Sequence, residues 1–376
     1  MEAMPAGPRI GGASDAGIEG GFDVKSPFWA GFAEEKVCQA HVSLVSSDAA
    51  PVEYRLDSAT EGQLRMIIDL RTRIWTSLDQ LGGDVATRLR RRFADRWEQL
   101  DGSTAAHERS MHCVKGAAIF GFRSHLLGAA VPNEVIAEFV SSDPQRRIGI
   151  AGIDPMAPGA VVEIEKAVQL GLSGVAISPA AQGFHPAHSA AMRVYERCDR
   201  LRLPVFVTND LPLVSSAIME FARPAAFDEV ARAFPNLRIV IGELGSPWVG
   251  ETLALLAKHA NLFADISMVS GRPWELYNVL LLAQGHDVLD RILFGSGFPF
   301  VTPEMAIEAI YSINGFSQGT TLPSIPRSHL RMIVERDSLS LLGIEHDISG
   351  RTETGPRAET GRAATAPPIG LGRQHH

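Results

Sequence analysis

Ser296 stands between two glycines in Gly295-Ser296-Gly297, a setting that could expose a nucleophilic hydroxyl. It is not the Gly-x-Ser-x-Gly elbow of acyl-transfer enzymes, and no His-Asp pair is assigned to it, so a nucleophile is discounted. His185 and His188 lie three residues apart in Gly183-Phe184-His185-Pro186-Ala187-His188. That stretch precedes a helical pattern, and His188-Ser189 reads as the helix start. The glycines form no phosphate loop, because no Gly-Lys-Ser/Thr follows them. Cys38, Cys113 and Cys198 are far apart and lack Cys-x-x-Cys or Cys-His spacing, which argues against a disulfide framework or a zinc knuckle. They are expected to be reduced, buried and apolar in behaviour. Arg88, Arg90, Arg91, Arg92 and Arg96 make a basic helix face, partly balanced by Asp84, Asp95 and Glu98. That face is expected to be solvated surface. His107, His112 and His125 flank the second strand, where a lone histidine is expected at the surface or satisfied, and His259 and His286 look peripheral.

These residues must be held by a scaffold, and the chain has enough material for one large core. It has 376 residues, of which 45% are hydrophobic and 21% charged, which suits a single α/β barrel with tails. A net charge of −8 argues against nucleic acid or anionic membrane as partner, since both require a clustered basic surface. No run reaches the length of a signal core or a membrane span, so a cytoplasmic location is expected. Residues 1–63 mix Gly, Ala, Ser and Pro with isolated aromatics such as Phe28, Trp29 and Phe32, and read as a poorly ordered extension. Residues 347–376 read as a disordered tail. In residues 64–346, apolar runs alternate with amphipathic stretches, the pattern of repeated βα units around a parallel sheet. Eight strands are expected: Met66 to Leu70, Val114 to Phe120, Arg147 to Ile153, Gly174 to Ile177, Pro204 to Val207, Leu237 to Gly242, Leu262 to Ile266 and Arg291 to Gly295. Pro132-Asn133, Pro158-Gly159, Pro224 and Pro303 fit helix starts. The fold expected is therefore a (β/α)8 barrel, with its chemistry at the carboxyl ends of the strands.

The run Phe234 to Ser267, FPNLRIVIGELGSPWVGETLALLAKHANLFADIS, resembles strands six and seven of the amidohydrolase-related family that includes aminocarboxymuconate-semialdehyde decarboxylase. GIDPMAPGAVVEIEKAV from Gly152, RILFGSGFPF from Arg291 and the closing helix IVERDSLSLLGI from Ile333 agree, so the resemblance spans roughly residues 66 to 345. It implies a metal site built from an Asp-x-His-x-His pattern after strand one, histidines after strands five and six, and an Asp within Gly-Ser-Asp-x-Pro after strand eight. Such a cation would lower the pKa of a bound water.

At the matching positions this chain has Asp69-Leu70-Arg71-Thr72-Arg73, then Thr208, Glu243 and Gly297, with Ala176 where some relatives carry Lys. Arginine offers no lone pair, threonine is a weak ligand at best, and glycine has no side chain. The resemblance thus implies a barrel that has lost its metal ligands, with no cofactor. Arg71, Arg73, Thr208, Glu243 and Gly297 are expected to line a pocket. The two arginines would replace the dication's charge, and Glu243 could pair with them.

The expected role is that of a catalytically degenerate protein binding a small anion or a protein partner, with self-association as a family habit. The alternative is a metal-independent hydrolase or carboxy-lyase acting on a carboxylated aromatic or lactone substrate, with Arg71 and Arg73 on the anion and Glu243 as base. A third expectation, a metal site with substitute ligands, would draw on Glu243, Asp210, Asp265, His185 and His188.

Overall fold

The computed structural model describes residues 66–95, 100–209 and 214–348. The expectations for residues 1–63, for the tail beyond Ile348, and for Cys38, Arg96, Glu98 and Asp210 fall outside the described residues.

Among the described residues ten strands are present: β1 (Ile68–Arg73), β2 (Gly116–Phe120), β3 (Phe122–Ser124), β4 (Ala129–Val131), β5 (Arg147–Gly152), β6 (Val175–Ile177), β7 (Val205–Val207), β8 (Ile239–Ile241), β9 (Leu262–Asp265) and β10 (Ile292–Leu293). Eight of them form one sheet in the order β1-β2-β5-β6-β7-β8-β9-β10, and every pair in it is parallel. The amide of Leu70 donates to the carbonyl of Phe294 at 3.1 Å, which brings β1 back to the end of β10. The eight runs read from the sequence are these eight strands, and helices lie outside them, as in a (β/α)8 barrel. The short antiparallel hairpin of β3 and β4 was not anticipated.

Two apolar layers hold the barrel. Ile68, Leu70, Ala118, Phe120, Ile148, Ile150, Ala176, Phe206, Val240, Phe263 and Leu293 form an inner cluster, and alternate residues of the same strands pack outward against the helices. Burial on both faces is why most strands read as continuous apolar runs. Leu339, Leu342, Ile344 and Ile348 join the inner cluster. Ile348 lies against the start of β2, where a Cβ on Gly116 would stand 2.5 Å from its Cδ1. The closing segment therefore runs two residues past the expected boundary at 346. It is also two helices, Arg327–Val334 and Ser338–Leu341, because the Asp337 side chain caps a new start at the Ser340 amide. Among the described residues, no helix is long and apolar enough to cross a membrane.

One irregularity decides what faces the barrel mouth. Asp69 pairs with Ala117 and Thr72 with Ile119, so β1 carries one more residue than β2 over the same stretch. This bulge inverts the alternation. Leu70 points inward, yet Arg71 also reaches the inner layer, where its guanidinium lies 4.6 Å from the ring centre of Phe120. Thr72 turns outward to His107 instead. The strand therefore continues through Arg73, three residues beyond the expected end at Leu70.

Candidate functional site

Behind the bulge, Arg71, Arg73, Thr208, Glu243 and Gly297 all line one cavity of about 110 Å³ at the carboxyl ends of the strands. Arg92, Arg272 and Asn209 add polar groups, and Phe93, Phe298, Phe300 and Met268 add apolar walls. Among the described residues, four arginines thus line this space together with one carboxylate residue, Glu243.

Arg71 is the anchor of this arrangement. It is only 5% exposed, and its Nε and Nη2 donate to Oδ2 of Asp265 at 3.1 and 2.5 Å. A guanidinium buried this deeply needs such a partner, because an unpaired buried charge is very costly. The other oxygen of Asp265 accepts from the Glu243 amide at 3.2 Å, the Ser267 amide at 3.1 Å and the Ser267 hydroxyl. One carboxylate therefore grips Arg71 and also holds the turn that carries Glu243. That turn is strained, with Glu243 and Leu244 at φ 54° and 52°, in the left-handed region that side chains rarely adopt. The sequence suggested Glu243 as the arginines' partner; the partner of Arg71 is Asp265, which had been considered only as a metal ligand.

Room for the guanidinium is made by two glycines. A Cβ on Gly242 would lie 2.8 Å from Nη2 of Arg71, and one on Gly295 would lie 2.9 Å from its Cβ. Gly297 is a different case. Its φ of +88° and a Met268 sulfur 2.8 Å from any added Cβ both exclude a side chain there.

Two titratable groups lie beneath this layer. Asp69 is fully buried, and its Oδ1 accepts from the amides of Arg71 at 3.0 Å and Ser296 at 2.9 Å. Burial outweighs those hydrogen bonds and pushes its pKa up to about 6. His107, on the outer side of β1, is buried between the edges of Phe139 and Phe298. Its Nε2 lies 3.0 Å from the Thr72 hydroxyl, which itself donates to the Ala118 carbonyl. Burial, reinforced by Arg147 and Arg146, holds its pKa down to about 3. This histidine is a core residue satisfied at one ring nitrogen only, since Nδ1 lacks a partner.

The donor set that the described residues bring to this cavity does not fit a divalent cation. Among the described residues, no three His, Cys, Asp or Glu side chains group closely enough to hold one. Asp265 has both oxygens occupied by donors. His185 and His188 are exposed, accept hydrogen bonds from the amides of Ala187 and Ala190, and are absent from the cavity wall. His188 caps the helix Ser189–Leu201, as its spacing suggested. Ser296 is buried, and its Oγ accepts from the Phe298 amide, a structural role. Cys198 is buried and Cys113 half-buried, with burial raising the pKa of both thiols.

Three site residues were missed from sequence. Arg92 is exposed, as expected of that helix face, and it also lines the cavity, while Arg90 pairs with Asp79. Arg272 and Asn209 carried no signal, since each follows an ordinary strand end.

Comparison with known proteins agrees with this architecture. The Amidohydrolase family model matches residues 68–320. A dihydroxybenzoic acid decarboxylase from Polaromonas sp. JS666, solved with bound manganese and the inhibitor 2-nitroresorcinol, is 16% identical, with 74% of this chain and 97% of that chain covered and a TM-score of 0.54. An uncharacterized TIM-barrel protein from Bordetella bronchiseptica is 22% identical over 76% and 99% of the two chains, with a TM-score of 0.57. A 5-carboxyvanillate decarboxylase from Sphingomonas paucimobilis is 15% identical over 75% and 100%, at 0.52. No curated protein matches the chain.

Proposed function

Because the chain belongs to the amidohydrolase family, we propose that its barrel mouth binds a small anion through a fixed guanidinium, and that metal-dependent chemistry of the kind its manganese-containing neighbour supports is not run here. The observation that carries this reading is Arg71. It is clamped by Asp265 and given space by Gly242 and Gly295 on the wall of a cavity that also holds Arg73, Arg92 and Arg272. Guanidinium groups recognise carboxylates through paired, directional hydrogen bonds, and a rigid one loses little entropy on binding.

A second reading has a specific observation in its favour. Glu243 sits on a strained turn at the same cavity, and decarboxylases stand among the structural neighbours. Metal-independent hydrolysis or decarboxylation would use Arg71 and Arg73 to hold the substrate's carboxylate and Glu243 as base. Turnover of a carboxylated aromatic acid or lactone that is lost in Glu243→Gln would favour it over binding alone.

Calorimetric titration of the full chain with propionate tests the first reading, with Arg71→Lys as control. Lysine keeps a cation opposite Asp265 but loses the fork, so affinity should fall about ten-fold. A wild-type protein that binds no carboxylate, or one purified with near-stoichiometric zinc or manganese, would overturn it.

A further inference from the structure

We infer that the ligand of the Arg71 cavity is a small hydroxy carboxylate whose hydroxyl is read by Asn209, an inference that rests on the anion reading above. Two buried polar atoms on side chains of the cavity wall have no hydrogen-bond partner: Nη1 of Arg71 and Oδ1 of Asn209. Their roles are fixed. Nη1 can only donate, and Nδ2 of Asn209 donates to the Ser246 carbonyl, which leaves Oδ1 as the acceptor. Buried groups left in this state are costly, and a native site normally completes them. The complement is a molecule that offers one acceptor and one donor.

Charge and size narrow the class. Even with Asp265 on Arg71 and Glu275 on Arg272, the four arginines Arg71, Arg73, Arg92 and Arg272 outnumber the carboxylates among the described residues here, so the acceptor is an oxyanion and the donor a neutral hydroxyl rather than an ammonium. A cavity of about 150 Å³ is known to hold benzene, whereas this one measures about 110 Å³. A ligand of at most about six heavy atoms is therefore the fit by that comparison. Met268, Phe298 and Phe300 supply the apolar wall for its carbon chain.

Four acids of nearly equal size make the test: propionate, lactate, 3-hydroxypropionate and alanine, titrated calorimetrically into the full-length protein. At least one hydroxy acid should bind about ten-fold more tightly than propionate, the effect of one completed hydrogen bond. Alanine should bind no better than propionate. In Asn209→Leu the preference for a hydroxy acid over propionate should disappear. Propionate binding as tightly as both hydroxy acids, or alanine binding tightest, would overturn the hydroxyl assignment and leave anion binding intact. Failure of all four acids would overturn the anion reading itself. The wild-type comparison decides the matter even if the variant does not fold.

Discussion

Nη2 of Arg71 lies where a methyl group on Gly242 would have to go, with only 2.8 Å between them, and the Val207 carbonyl is 2.6 Å from the same point. The absence of a side chain at Gly242 is thus a condition for the guanidinium's position.

Gly242→Ala should displace that guanidinium from Asp265, since the opposing Val207 atom is backbone and cannot yield. Overpacking of this kind costs about 1–3 kcal/mol, and carboxylate affinity should fall with it. Chemical denaturation and a propionate titration check both effects. A variant with wild-type stability and affinity would mean the pocket is softer than its geometry implies.

Removing one half of the buried pair should be far worse than removing both charges together. Asp265→Ala strands a cation that is 5% exposed and releases the amides of Glu243 and Ser267, so a loss of about 3–5 kcal/mol is expected. Arg71→Met with Asp265→Asn, in contrast, removes both charges and should recover part of that loss. Urea melts of the two variants decide it. Equal stability would show that the pairing contributes little.

Much of this was legible in the sequence, and the boundary has physical causes. The eight strands stood out because burial on both faces makes them uniformly apolar. Arg71, Arg73, Thr208, Glu243 and Gly297 could be brought to one wall because each lies in the last residues of a strand or just beyond one, where flanking residues fix its place. The bulge could not be read, since it is a mismatch of pairing between β1 and β2 rather than a property of either strand. Asp265 was misjudged for a related reason: its partner lies 194 residues away, and an acid at a strand end looks the same whether it meets a metal or an arginine. Arg92 was hidden by its own helix, whose run of arginines resembles an ordinary solvated face.

Asp69 and His107 should tilt stability with pH in opposite directions. The folded pKa of Asp69, about 6, lies above its ordinary 3.8, so its stabilising contribution is complete below that value and is lost as pH rises through 6. The folded pKa of His107, about 3, lies below 6.5, so its contribution is complete above 6.5 and is lost as pH falls. Each is worth about 3 kcal/mol or more at full extent, and between about pH 4 and 6 the two offset each other. Asp69→Asn should therefore steepen the loss of stability on acidification, and His107→Gln should make stability decline as pH rises towards 6. Melts at several pH values test this, and curves parallel to wild type for both variants would refute it.

Restoring the carboxylate expected after strand eight should not restore a metal site. Gly297 lies at φ +88°, where a Cβ is strained, and the Met268 sulfur and main chain occupy the space at 2.8 and 3.1 Å. Gly297→Asp must therefore twist the segment that passes from β10 across the cavity, at a cost of about 1 kcal/mol or more. The new carboxylate would also face four guanidinium groups, which would bind it as an internal anion before any cation could. Its expected signature is lower carboxylate affinity, a lower melting temperature, and no gain of zinc or manganese after dialysis against either ion. Stoichiometric metal uptake by this single variant would mean that the cavity keeps a cation site despite Arg71, and the guanidinium would have to be regarded as a movable guest.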